Sequence, residues 1–123
     1  MDTTLKEIVH RLMAKTNEGK VNWLKGGSPN EFKLIMKDAT FTISLFTNPM
    51  GQIFTECKIV NSGGDIVFRE VASTSSTDGI FLKSAFDAIR DYYTGKKSVV
   101  SSILFQLDSD DIIGEKDTSD LPF

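Results

Sequence analysis

Two groups of residues in this 123-residue chain have the chemistry to bind something, and neither is catalytic in type. The first group is Asp117, Asp120, Leu121, Pro122 and Phe123, at the C-terminal tip. A terminal Phe offers a ring and a free carboxylate on one residue. A partner pocket that buries the ring and pairs the acid with an Arg satisfies both. Pro122 restricts the backbone just before the ring, which lowers the cost of ordering it. Acids upstream steer the peptide toward a basic rim and make the contact salt-sensitive. The second group is a set of cations and rings on β-prone runs: Lys33, Lys37, Phe46, Phe54, Lys58 and Arg69, with Trp23 just before them. Single-stranded nucleic acid is held by rings that stack its bases within a groove whose cations follow the phosphates. Stacking contributes about 1–3 kcal/mol per base.

Other reactive residue types lack the company they need. His10 is the only histidine, and no carboxylates or cysteines recur with it at metal-ligand spacing. Cys57 has no histidine near it in sequence and falls at an inward strand position, which predicts a buried structural thiol. Gly26-Gly27-Ser28 and Gly63-Gly64 lack phosphate-loop spacing and read as turns. Asp108, Asp110 and Asp111 cluster charge without the pattern of a calcium loop. The expectation is a binding protein with no enzyme activity, cofactor or metal.

Size and charge set the frame for these groups. The length suits one domain, and 40% hydrophobic and 25% charged residues is ordinary globular usage. No apolar run approaches a membrane span, and a single cysteine suits a reducing cytoplasm. The net charge of −3 is uneven. Asp108, Asp110, Asp111, Glu115, Asp117 and Asp120 face one Lys116 at the end, and the 13 basic and 11 acidic residues left give 1–107 a charge of +2. A flexible acidic tail over 108–123 after a globular body over 1–107 is the expected organisation.

The elements that must position these residues follow from periodicity. Leu5, Ile8, Val9, Leu12 and Met13 recur at helical spacing and predict a helix over 3–16, with Thr3 or Thr4 as cap. Five β-prone runs follow, at 20–24, 31–37, 40–47, 52–60 and 65–71, with turn-forming residues between them. Short loops favour an antiparallel meander. A second helix is expected over 79–94, capped by Asp78, and Val99, Val100, Ile103, Leu104 and Leu107 extend the helical spacing beyond Gly95. The fold class is α+β, in the order α-β-β-β-β-β-α-α.

Alternation assigns the sheet's two faces. Phe32, Leu34, Met36, Phe41, Ile43, Leu45, Ile53, Cys57, Ile59, Ile66 and Phe68 form the expected core face. Opposite them lie Lys33, Ile35, Lys37, Thr42, Ser44, Phe46, Phe54, Glu56, Lys58, Val67 and Arg69. Two rings among cations make this second face the candidate nucleic-acid surface, with Trp23 joining at the start of the sheet. The plainer alternative is a solvated face, or one covered by a second subunit in a homo-oligomer.

Asp120-Leu121-Pro122-Phe123, preceded by an acidic stretch, resembles the tip of bacterial single-stranded DNA-binding proteins (SSB). That tip is a run of Asp, then Ile or Leu, Pro and a terminal Phe. The resemblance covers about the last seven residues. It implies recruitment of replication, recombination or repair enzymes. Thr118 and Ser119 separate Asp117 from Asp120, where that family has adjacent acids. The body does not resemble the oligonucleotide-binding barrel of an SSB. Its element order is similar to that of Whirly-type and purine-rich-element-binding proteins, at fold level only. Residues 16–23 resemble an opening seen in small bacterial and mobile-element proteins. The expected function is an accessory role in bacterial, phage or mobile-element DNA metabolism, binding single-stranded DNA and SSB-interacting proteins. The alternative is a protein-binding inhibitor or immunity-type module without DNA affinity.

Overall fold

The computed structural model describes residues 1–108. The tail expected over 108–123, with Asp117, Asp120, Leu121, Pro122 and Phe123, lies outside the described residues except for Asp108.

The architecture is α+β in the expected order. Helix α1 (Thr3–Asn17) leads into a five-stranded sheet of β1 (Leu24–Lys25), β2 (Glu31–Ile35), β3 (Ala39–Thr47), β4 (Ile53–Asn61) and β5 (Ile66–Ser73). Helix α2 (Thr77–Asp91) follows, then a π-helical segment (Tyr92–Lys97) and α3 (Ser98–Asp108). Every strand pairs antiparallel with its sequence neighbour, in the spatial order β1-β2-β3-β4-β5.

The helix ends are capped one or two residues earlier than the spacing predicts. Asp2, not Thr3 or Thr4, caps α1 by accepting from the Leu5 N–H at 3.0 Å. Ser76, not Asp78, caps α2 by accepting from the Gly79 N–H at 2.9 Å. Asp78 instead pairs with the Met1 amine at 2.9 Å. At the other end of α1, Gly19 takes φ +73°, and Lys20 N–H returns to Lys15 O while Gly19 N–H returns to Thr16 O. This Schellman closure satisfies carbonyls the helix leaves unpaired.

The two long hairpins turn by one device used twice. Asn48 Oδ1 accepts from the N–H groups of Met50 and Gln52, and Asn61 Oδ1 accepts from those of Gly63 and Asp65. Gly51 and Gly64 supply the positive φ each loop needs.

One face of the sheet packs on α1 and α2. The core joins Leu5 and Val9 of α1 with Leu82, Ala85, Phe86 and Ile89 of α2, over Phe32, Phe41, Ile43, Cys57 and Ile59. Gly79 lets α2 approach β5, since a Cβ there would meet Ser73 O at 1.6 Å. Three inward assignments are corrected. Met36 falls beyond the end of β2 and is exposed, and Ile53 is exposed at the far end of β4. Ile66 moves to the opposite side because Ile59 opposes Phe68 whereas Val60 opposes Ile66. Val67 is the extra residue of that β-bulge, and Ile66 is 56% exposed.

Candidate nucleic-acid interface

The sheet's second face consists of cross-strand rows whose members the register fixes. Lys33, Thr42, Lys58 and Arg69 stand side by side across β2 to β5. Three strand spacings make this row about 14 Å wide. Four residues further along β3, Phe46 opposes Phe54, roughly 13 Å away along the strand direction. Their rings stack nearly parallel, with centroids 5.6 Å apart and planes 17° apart. No residue in these rows is buried. The apolar side chains of Leu24, Ile35 and Ile66 are also exposed on this side.

Five of the seven residues assigned to nucleic acid therefore share this surface: Lys33, Phe46, Phe54, Lys58 and Arg69. Lys37 is exposed in the turn between β2 and β3, at the margin of the face rather than within a row. Trp23 is a correction. It is fully buried, its ring meets Phe41 edge-on at 5.9 Å, and its indole Nε1 donates to Thr16 Oγ1 at 2.9 Å. Residues 20–23 precede the paired strand but alternate as one, with Asn22 and Leu24 exposed and Val21 and Trp23 buried. Pairing begins only at Leu24, and Val21 and Trp23 turn into the core beneath α1.

Acidic residues enter this surface too. Between the cationic row and the ring pair lies a row of Glu31, Ser44, Glu56 and Val71. Glu56 accepts a hydrogen bond from Arg69 Nε, so one cation of the neighbouring row is already paired. Lys33 and Lys58 make no ion pair with another described residue. Sequence reading put Glu56 on this face and omitted Glu31, which alternation with Lys33 places there and whose pairing with Ser44 sets it in the same row as Glu56. The surface can stack a planar group at one end and attract an anion at the other, across an acidic strip.

The remaining reactive side chains are placed elsewhere. Cys57 is fully buried, and burial, with the nearby carboxylates of Glu70 and Glu56, pushes its thiol up to about 12. His10 is exposed on α1, its ring 4.8 Å from that of Phe81 on α2. Among the described residues, no three His, Cys, Asp or Glu side chains gather as metal ligands, and no helix is long and apolar enough to cross a membrane.

Compared with protein-family models, curated proteins and solved structures, the chain gives no match.

Proposed function

We propose that this chain is a cytoplasmic accessory protein of bacterial, phage or mobile-element DNA metabolism. Its open sheet face holds single-stranded DNA, and its C-terminal tip engages a replication or repair protein. The stacked Phe46–Phe54 pair carries the reading, because an exposed Phe46 and a half-buried Phe54 share one sheet face with Lys33 and Lys58. Bases stack on such rings in any sequence, and the cations add a salt-dependent phosphate contact. The tip would act from the far end of an acidic segment, with Asp117 and Asp120 steering and Leu121, Pro122 and Phe123 docking.

Titration of a labelled oligonucleotide by fluorescence anisotropy tests the face. Affinity is expected to fall as salt rises and to drop in Phe54→Ala by a factor matching about 1–3 kcal/mol. Absence of binding at low salt overturns this half of the reading. Removing 121–123 tests the other half: DNA affinity and thermal stability are expected to stay, and capture of SSB-interacting enzymes from bacterial lysate to disappear.

Glu31 and Glu56 favour a second reading. Acids between the cations and the rings suit a mixed-charge protein surface better than a phosphate track. A protein-binding inhibitor or immunity-type module would use this same face without DNA affinity. Glu31→Gln decides between them, since it strengthens oligonucleotide binding under the first reading and leaves it absent under the second.

A further inference from the structure

On the opposite side of the sheet, a cavity of about 370 Å³ opens where the loop after β1 meets the end of α2. Tyr93 is the accessible ring of its wall, with the buried Phe32 and Phe86 behind it, and Lys25, Arg90 and Thr94 stand around them. The rings form one cluster. Phe32 lies 5.6 Å from Phe86 and 5.3 Å from Tyr93, centroid to centroid. The two cations sit over these rings, Lys25 Nζ 5.0 Å from the Phe32 centroid and Arg90 Cζ 5.9 Å from that of Phe86. Both are held in place. Lys25 donates to Pro29 O at 2.6 Å, and Arg90 lies 3.3 Å from Asp87 and 3.6 Å from Asp91.

A second observation marks the same place. The chain leaves α2 through a π-helical segment, and Tyr93 and Thr94 on it line the cavity. Such widened turns are rare and recur at functional sites. Pockets of this size that take small ligands combine apolar and aromatic walls with a few placed polar groups.

We propose that this cavity is a binding site for an aromatic ring bearing a carboxylate. The ring would pack against Tyr93, backed by the buried Phe32 and Phe86, and the acid would reach Lys25 or Arg90. The site is separate from the open face and does not depend on it.

The test is titration of the full chain, labelled with ¹⁵N, with 3-phenylpropanoate and with its neutral amide. Shifts concentrated at Phe32, Tyr93 and Thr94, with the acid binding more tightly than the amide, are expected. Thr94→Trp fills the cavity from an exposed position and should abolish the shifts while the rest of the spectrum stays folded. Lys25→Gln with Arg90→Gln should erase the preference for acid over amide. Shifts scattered elsewhere, equal binding of acid and amide, or undiminished binding in Thr94→Trp overturn the proposal. A peptide of residues 117–123 with its C-terminal carboxylate free separates the sources of this chemistry. Matching shifts identify an acidic Phe-containing segment, and shifts with phenylpropanoate alone identify a free small acid.

Discussion

Thr16 is a fully buried polar residue with work for both sides of its hydroxyl. It donates to Leu12 O at 2.7 Å and accepts the Trp23 indole N–H at 2.9 Å. Burying Trp23 thus brings its polar atom to a partner, and Trp23→Ala is expected to lose about 3–5 kcal/mol in urea denaturation. Cys57 gives a pH signature. Its folded pKa is raised from a usual value of 9.0 to about 12, so the neutral thiol is the form the fold accommodates. The unfolded chain releases that proton first. The contribution is fully present below about pH 9 and is lost as pH rises toward 12. Chemical denaturation across that window should show a fall in stability that Cys57→Ala reduces, and a disulfide reagent should leave the native thiol untouched at pH 8. Alternation alone made Cys57 readable as core. Trp23 was joined to the open face by its place at the start of the sheet, whereas residues 20–24 alternate and put Val21 and Trp23 on the inward side.

Among the elements, α3 stands apart. Val99, Ile103, Leu104, Phe105 and Leu107 are all about half exposed or more, with Phe105 at 74%. An apolar helix ordinarily buries its stripe, so helical spacing made this helix legible while implying a burial that these five side chains do not have among the described residues. Phe105→Ser should change stability by no more than about 0.5 kcal/mol, as for surface positions generally, in the same urea titration. Tighter contact governs the start of α2. Gly79→Ala places a methyl group against Ser73 O, and a loss of at least about 2 kcal/mol is expected. The bulge at Val67 and the π-helical turn after α2 were invisible in the sequence. Both are one-residue adjustments of a regular ladder, and hydrophobic spacing on either side of them looks unbroken. The second helix was expected over 79–94, and the backbone instead widens through Tyr92–Lys97 before α3 begins.

At the scale of the molecule, turn chemistry and strand alternation were enough to read the meander, since Asn48 and Asn61 mark its two long hairpins. The composition of the open face was also readable, but not its arrangement. Only the register shows that Glu31 and Glu56 form a strip between Lys58 and Phe54. Sequential pairing has a further consequence for how the chain is made. All five strands are complete at Ser73, whereas Leu82, Ala85, Phe86 and Ile89 come later. During synthesis the sheet therefore emerges with Phe41, Ile43 and Ile59 sheltered by α1 alone, and its greasy side waits for α2. Ribosome-bound nascent chains halted once residues 1–73 have cleared the exit tunnel should recruit chaperones strongly, and those in which α2 has also cleared it should release them.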